Sequence, residues 1–177
     1  MAILYHSAMK ILIQGPQSER TALIIDIMKE YGTDVVACAF PLTSRNSIRD
    51  VPCYVSVEEA YEKHDPFDAS IIVCDAQSVK SLAVEAIYSK IELIIIVPNG
   101  VPVYDCLALV QEAAENNVRV LGPGSKGILN PGIGLLGLLP LNTAFPSLND
   151  FQTGSLAIVT RSGSFGLSLA YTLKQKG

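Results

Sequence analysis

The stretch KILIQGPQSERTALIIDIMKEYGTDVVACAF, residues 10–40, contains two kinds of apolar pattern that alternate along the chain. It begins with a short apolar run that ends in Gly15, which is typical of a strand entering a turn. Residues 18–31 then carry apolar side chains at nearly helical spacing, and Gly32 stands where a helix would end. A second apolar run follows at residues 34–40. The stretch therefore predicts a strand–helix–strand unit.

The same alternation continues along the chain on the C-terminal side of this unit. Strands that are apolar on both faces and are separated by helices of about ten to fifteen residues belong to a parallel sheet with crossover helices. The fold class predicted is α/β, a Rossmann-like doubly wound parallel sheet, with its ligand crevice beyond the carboxyl ends of the strands. Further strands are predicted at residues 54–57, 70–74, 92–97 and 117–121, and helices at 78–89 and 104–116, with a brief helix capped by Ser56.

The pattern changes after Gly122, where glycine and proline cluster in turns. Residues 132–141 are apolar but too rich in glycine for a helix. We expect domain boundaries of 1–141 for the first domain, 142–153 for a linker, and 154–177 for the start of a second α/β domain that is cut short. In that last part, residues 154–160 are predicted to form a strand, followed by a helix.

Composition narrows the function classes. The chain has 177 residues, of which 49% are hydrophobic and 17% charged, with a mean hydropathy of +0.35, so it can bury a core and is not disordered. Its apolar runs are far shorter than the roughly 20 residues of a membrane span.

The net charge of −4 without a basic stripe argues against nucleic-acid binding. Because no basic residue precedes Lys10, no signal peptide is expected, and we predict a cytoplasmic protein, with the mitochondrial matrix as the alternative.

The cysteines predict no metal or redox motif. Four cysteines are far apart, form no CxxC and mostly lie within apolar runs, so they are expected to be reduced and buried. The two histidines have no partners at metal-ligand spacing. They are His6 and His64, and the cysteines are Cys38, Cys53, Cys74 and Cys106.

The first candidate site is the loop that follows the first strand. A nucleotide-binding fold presents free backbone N–H groups and a positive helix end to phosphates at this position. The full fingerprint has three glycines, of which only Gly15 is present here. Pro16 removes a donor and Glu19 adds a negative charge, which Arg20 partly offsets. The residues alone leave open whether the loop is a phosphate site or a structural turn.

The second candidate is the turn at residues 161–166, Arg-Ser-Gly-Ser-Phe-Gly. Its small residues resemble the nucleophile elbow of α/β-hydrolases, but no acidic residue or histidine follows Gly166 to complete a triad. An anion site at a helix start explains Ser162, Gly163 and Ser164 better. Elsewhere, Asp75 and Asn99 follow strands on the crevice side, where each either orients a ligand or caps the next helix.

A series of short segments, in this order, is similar to the N-terminal part of the α subunit of succinyl-CoA synthetase and related nucleoside-diphosphate-forming acyl-CoA synthetases. The resemblance covers nearly all of the chain. The segments are Gln14-Gly15, Tyr31-Gly32-Thr33, Val51-Pro52, Asn99-Gly100-Val101-Pro102, Arg119-Val120-Leu121-Gly122-Pro123, Asn130-Pro131-Gly132 and Ile158-Val159-Thr160-Arg161-Ser162-Gly163-Ser164.

The resemblance implies a first domain that binds coenzyme A and a flavodoxin-like second domain whose phosphohistidine passes a phosphoryl group to a carboxylic acid. It also implies an ATP-grasp β subunit or domain that supplies this group from ATP or GTP with Mg²⁺. The small residues Ser162, Gly163 and Ser164 would open a helix that points at the phosphohistidine. By position, the coenzyme's phosphates would meet Gly15, Gln17, Ser18, Glu19 and Arg20, its adenine and ribose would meet Thr43 and Arg45, and its pantetheine arm would pass Val97, Pro98 and Asn99.

The chain also departs from the family pattern. The family's lysine after the second strand falls at Thr43, with Arg45 as the nearest substitute, and its Asn-Cys becomes Gly124-Ser125. The substrate tyrosine falls near Leu167, and the phosphohistidine lies beyond the last residue, so the chain alone is expected to be inactive.

Three functions follow as hypotheses. The first is the CoA-binding part of an acid–thiol ligase that docks to a β partner, with homo-oligomerisation left open. The second is a divergent, non-catalytic paralogue that keeps the fold and the partner surface. The third is an NAD-binding Rossmann domain, which residues 40–42, Phe-Pro-Leu, disfavour because no acidic residue stands there to accept the ribose hydroxyl.

Overall fold

The computed structural model describes residues 4–44, 46–64, 66–139 and 151–176. The strands are β1 (Ile11–Gln14), β2 (Val35–Ala39), β3 (Ser47–Ile48), β4 (Val51–Tyr54), β5 (Ala69–Ile72), β6 (Leu93–Ile96), β7 (Arg119–Leu121), β8 (Gly127–Asn130) and β9 (Gly134–Gly137). The helices are α1 (Glu19–Glu30), α2 (Val57–Tyr61), α3 (Val79–Tyr88), α4 (Val103–Glu115) and α5 (Gly163–Lys176).

Seven strands form one sheet in the order β3-β4-β2-β1-β5-β6-β7. Every neighbouring pair is parallel except β3 and β4, which are antiparallel. The chain proceeds outward from β1 through β2 to β4, and then returns to the other side of β1 at β5. This reversal between β1 and β5 is the switch point of a doubly wound sheet, which confirms the predicted fold class.

The central strands are buried on both faces, which explains their largely apolar sequences. All residues of β1, β5 and β6 are buried. One face of the sheet packs against α1 and the β8–β9 hairpin, and the other packs against α2, α3 and α4. The two apolar clusters fix the sheet, so its carboxyl edge presents the connecting loops at fixed positions.

The predicted end of α1 at Gly32 and the predicted cap of α2 at Ser56 are confirmed, and Ser18 is a further cap that the sequence pattern did not identify. The Ser18 side chain accepts a hydrogen bond from the Thr21 amide and caps α1, and Gly32 follows the helix with φ +83°. Ser56 likewise accepts from the Glu59 amide and caps α2.

Three strand assignments from the sequence need correction. The third parallel strand is Val51–Tyr54, not residues 54–57, and its neighbour β3 was not predicted. The glycine-rich stretch after Gly122 contains the antiparallel β8–β9 hairpin, whose residues pair from Gly127 with Gly137 to Asn130 with Gly134. Glycines pair here because the hairpin packs closely: a side chain on Gly134 would collide with the Tyr5 hydroxyl.

The strand predicted at residues 154–160 is absent, although the helix predicted after it is α5. Residues 154–160 are exposed and have no strand partner among the described residues, and an isolated strand cannot satisfy its backbone groups. Leu167 of α5 packs against Leu135 and Leu139 beside the hairpin. The boundaries 1–141, 142–153 and 154–177 stay a prediction, and residues 142–150 of the expected linker lie outside the described residues.

The cysteines are less buried than expected. All four are free thiols, but only Cys38 is buried, while the other three are half-buried. Among the described residues, no helix is both long and apolar enough to cross a bilayer.

Candidate functional site

The corner between β1 and α1 lies at the switch point and is built around one glycine. A β-carbon on Gly15 would collide with the carbonyl oxygen of Val73, which directly follows β5. The Gly15 amide donates to Ala39 at the end of β2 (3.2 Å), and the Val73 amide donates to Gln14 (2.8 Å). Only glycine fits at this position, because the ends of β1, β2 and β5 converge here and leave no room for a side chain.

The first turn of α1 leaves two backbone amides open beside this corner. The Thr21 amide donates to the Ser18 hydroxyl (3.2 Å), and the Thr21 hydroxyl donates to the Pro16 carbonyl (2.7 Å). The amides of Glu19 and Arg20 have no acceptor among the described residues, and both side chains are exposed. Since these amides carry the positive end of the helix dipole, they can donate to an anion, and Arg20 can add its charge.

Gln17 connects this corner to the loop after β2. Its side-chain oxygen accepts hydrogen bonds from the Ser44 amide (3.1 Å) and the Ser44 hydroxyl (3.3 Å). Thr43, the position predicted to replace the family lysine, therefore lies beside the corner. Arg45, its predicted substitute, lies outside the described residues.

Two cysteines, Cys38 and Cys53, lie next to the Gln17–Ser44 hydrogen bonds. Cys38 of β2 and Cys53 of β4 are register partners on neighbouring parallel strands. A hydrogen bond from Cys38 lowers the pKa of the Cys53 thiol to about 6, and the Gln17 and Thr43 side chains contribute in the same direction. The same hydrogen bond raises the pKa of Cys38. The Cys53 thiolate is therefore stabilised chiefly by Cys38 on the neighbouring strand, and to a lesser extent by the two loops of the site.

The loop after β6 exposes only one of its three predicted site residues. Val97 and Pro98 are buried, and the Pro98 carbonyl accepts from the Gly124 amide (2.7 Å). The Asn99 side chain is exposed and lies so close to Gly124 that a β-carbon on that glycine would collide with it. Asn99 is thus the residue of this loop whose side chain can reach a ligand.

Asp75, which the sequence left between two roles, binds the turn that precedes α3, while the N-cap of α3 itself is Ser78. Its carboxylate accepts from the Gln77 amide (3.1 Å) and from the amide (3.0 Å) and hydroxyl of Ser78. These hydrogen bonds, chiefly from the Ser78 hydroxyl, lower the pKa of Asp75. The acid shapes the turn before α3 and is occupied by that turn.

The second candidate site lies at the start of α5. The Phe165 amide donates to the Ser162 hydroxyl (3.3 Å), so Ser162 caps the helix, and Gly163 and Ser164 form its first turn. A β-carbon on Gly163 would collide with the side chain of Lys126, which follows β7. The α5 start therefore contacts the segment that leaves the carboxyl edge of the sheet.

The structure thus joins the first two predicted loops through Gln17 and Ser44, and joins Asn99 to the Gly124 turn. Three contributing residues were missed: Ser44, Cys53 and Lys126. Their contacts depend on strand register and loop closure, for which the sequence carries no local signal, whereas Thr21 belongs to the first candidate loop.

A doubly wound parallel sheet with a helix start at its switch point defines the class of Rossmann-like nucleotide-binding domains. Residues 6–100 match the sequence profile of the CoA binding domain family. The chain belongs to this family, as its sequence predicted.

Curated relatives extend the similarity over the rest of the chain. The chain is 31% identical over 177 residues to the alpha 2 subunit of an ADP-forming succinate–CoA ligase from Archaeoglobus fulgidus, covering all of this chain and 59% of that protein. It is 27% identical over 166 residues to a subunit of an ADP-forming sulfoacetate-CoA ligase from an Acholeplasma species, covering 93% of this chain and 54% of that protein. The chain spans less than two thirds of the length of either relative.

Solved structures share the fold. A protein from Pyrococcus horikoshii superposes with a TM-score of 0.75 at 19% identity, covering 99% of this chain and 40% of that one. ATP citrate lyase from Methanothrix soehngenii, solved with citrate and coenzyme A, gives 0.63 at 19% identity, covering 80% of this chain and 24% of that one. An oxidoreductase from Agrobacterium radiobacter in complex with NAD⁺ gives 0.54 at 17% identity, covering 64% of this chain and 34% of that one. These likenesses establish the Rossmann-like fold alone.

Proposed function

We propose that this chain binds coenzyme A with the diphosphate at the start of α1. The observation that carries the proposal is the pair of open amides at Glu19 and Arg20, at the switch point of a domain that belongs to the CoA-binding family. Backbone donors at a helix start hold phosphate without any particular side chain, so the loss of two fingerprint glycines does not remove them. Gly15 is kept because the corner has no room for a side chain.

The remaining contacts are assigned by the order of the neighbouring loops in the sequence. We assign Gln17 and Ser18 to the diphosphate, Thr43 and Arg45 to the adenine and ribose, and Asn99 to the pantetheine arm, which would pass Val97 and Pro98. The Gln17–Ser44 hydrogen bonds support this assignment because they hold the first two loops against one another.

We further propose that the chain is the N-terminal part of the α-type chain of a nucleoside-diphosphate-forming acid–thiol ligase. In this role the chain works with an ATP-grasp β subunit or domain, which binds ATP or GTP with Mg²⁺. We place the complex in the cytoplasm. The names of the relatives, alpha subunits of ADP-forming ligases, support this reading. Ser162, Gly163 and Ser164 are then the helix start that faces the phosphohistidine of the second domain.

Isothermal calorimetry with coenzyme A tests the proposed site. Arg20→Glu should weaken binding by about 1–3 kcal/mol, since a charge-assisted contact to phosphate is replaced by repulsion. Lys90→Glu is the charge-matched control, because Lys90 lies between α3 and β6 at the opposite edge of the sheet and should leave the affinity unchanged. Equal affinities for the Arg20→Glu variant and the unaltered chain would remove Arg20 from the site.

A second substitution tests which helix start holds the diphosphate. Ser18→Asp should weaken binding, because it places a negative charge at the start of α1. Ser162→Asp makes the same change at the start of α5 and should have little effect on coenzyme affinity. The reverse result would place the ligand at α5, and absence of coenzyme binding by the unaltered chain would favour the non-catalytic paralogue.

A further inference from the structure

Helix α4 has an apolar face that the core of the domain does not use. Its buried residues are Leu109 and Ala113, which are 3% and 5% exposed. Val103, Leu107 and Val110 are instead 75%, 65% and 66% exposed. Their spacing of four and three residues places them on one face of the helix, and the exposed Ala114 continues it after four more. We call these four residues the α4 stripe.

The α4 stripe faces away from α3. Three residues of α4 or its C-terminal end mark the α3 side: Asp105 pairs with Lys80 (3.0 Å), Glu112 accepts from the Tyr88 hydroxyl (2.9 Å), and Asn116 accepts from Lys90 (2.8 Å). At 3.6 residues per turn, the stripe lies nearly half a turn round the helix from these residues. It therefore lies on the flank of α4 that is farthest from α3.

That flank lies at the end of the sheet. Helix α4 connects β6 to β7, and β7 is the last strand in the sheet order, paired only with β6 among the described residues. One edge of β7 therefore presents backbone donors and acceptors next to the α4 stripe. An open strand edge beside an exposed apolar helix is a surface that proteins normally cover.

We propose that a second copy of this chain covers this surface, through a twofold axis perpendicular to the sheet. Under this symmetry, β7 of one protomer pairs antiparallel with β7 of the other, which extends the sheet across the interface. Helix α4 packs antiparallel against α4 of the other protomer along the stripe. Val103 of one protomer then lies opposite Ala114 of the other, and Leu107 lies opposite Val110. A large residue faces a small one at each end, so two helices that are each about 20 Å long can approach closely.

The charges on α4 favour this occupant. The acids Asp105 and Glu112 lie on the α3 side, away from the twofold seam, and each already has a partner there. The residues that flank the stripe on its outer side are Tyr104 and Gln111, which are uncharged, and Glu115, whose carboxylate accepts a hydrogen bond from the Gln111 side chain (2.9 Å). In an antiparallel pair of helices the two Glu115 residues lie at opposite ends of the seam, so two copies of an acidic chain can meet here without bringing like charges together.

The exposed area is sufficient for such a dimer. Taking roughly 150–200 Å² for each fully exposed large side chain, the stripe together with Tyr104 offers roughly 500 Å² per protomer. The two copies bury about 1,000 Å² in total before the β7 edge is counted, which reaches the size expected of a specific interface.

Sedimentation of the intact chain at micromolar concentrations tests the proposal. The unaltered protein should sediment at twice the chain mass of 19.0 kDa. Val110→Lys and Leu107→Glu should each shift it to the monomer while the far-ultraviolet circular dichroism stays native. Leu23→Lys is the matched control, because Leu23 is a 52% exposed apolar residue of α1 on the opposite face of the sheet, and it should leave the dimer intact.

Disulfide trapping tests the antiparallel register. The double variant Val103→Cys with Ala114→Cys should form a covalent dimer under mild oxidation, whereas each single variant should remain monomeric on a non-reducing gel. Sedimentation as a monomer at high micromolar concentration would overturn the proposal. A dimer that survives Val110→Lys, or single variants that trap as readily as the double one, would overturn it as well.

Discussion

Two corners of this chain lead from an apolar run into a helix, and they have similar sequences and different structures. At the first, an apolar run leads through Gly15 to Ser18 and α1. At the second, an apolar run leads through Arg161 to Ser162 and α5. In the first corner the run is a fully buried strand paired on both sides, whereas in the second it is exposed and unpaired among the described residues. An apolar run therefore becomes a strand only where neighbouring strands satisfy its backbone, and of these two corners only the first begins its helix at the end of a paired strand.

The largest expected difference is in the tolerance of the two corners to a methyl group. Gly15→Ala should lower the free energy of unfolding by about 3 kcal/mol, because the new β-carbon meets the backbone carbonyl of Val73 and neither strand can move freely. Gly154→Ala, before the second corner, should stay within about 0.5 kcal/mol of the unaltered chain, because nothing lies near its β-position. Urea denaturation measures both changes. Similar values for the two variants would contradict the contrast between a packed and an unpacked corner.

A smaller difference is expected in the two helix caps. Ser18→Ala should destabilise the domain by about 1 kcal/mol, since the Thr21 amide loses its acceptor in a helix that is packed into the core. Ser162→Ala removes an equivalent cap, but Leu167 is the only described residue of α5 that is buried, so global unfolding should hardly change. The same denaturation series tests this pair. A loss at Ser162 equal to that at Ser18 would mean that α5 unfolds together with the sheet.

The smallest effect concerns pH and is confined to the first corner. The pKa of Cys53 is lowered to about 6, so the folded chain has released this proton at pH values where the unfolded thiol, with a pKa near 8.5, still holds it. Stability should therefore rise as the pH increases from about 6 to 8, and this gain is lost as the pH falls through 6. Above that window the trend reverses, because the pKa of Cys38 is raised and the folded chain keeps a proton that the unfolded chain releases.

Melting temperatures across this pH range test the effect, which should be small because Cys53 is only half-buried. Cys53→Ser should flatten the profile, while Cys106→Ser, a half-buried thiol on the opposite side of the sheet, should leave it unchanged. A profile that is unaltered by Cys53→Ser would show that neither Cys38 nor the loops stabilise this thiolate.

The sequence predicts the parts of the fold that are encoded locally. The limits of α1 are right because Ser18 and Gly32 supply both a start and an end, and the buried strands β1, β5 and β6 are apolar enough to recognise singly. The two-residue strand β3 and the glycine-rich hairpin have no such pattern, since their pairing is decided by what packs on them. The apolar run at residues 154–160 was assigned as a strand because a pattern carries no record of whether a neighbour exists.

The candidate site divides in the same way. The helix start at Ser18, Glu19 and Arg20 follows from the strand–turn–helix pattern, whereas the link between Gln17 and Ser44 depends on how two distant loops close. The sequence predicted a helix at residues 104–116 but not which of its apolar residues are buried: Leu109 and Ala113 form the core face, while Val103, Leu107 and Val110 are exposed. Periodicity shows that a helix has an apolar face and does not show what covers it.

The most direct test of the central claim is the amide ¹⁵N spectrum of the chain during titration with coenzyme A. The account predicts saturable shifts of the Glu19 and Arg20 amides, accompanied by Thr43 and Ser44, with the Ser164 and Phe165 amides unmoved. Shifts confined to the start of α5, or a spectrum that coenzyme A leaves unchanged, would contradict it.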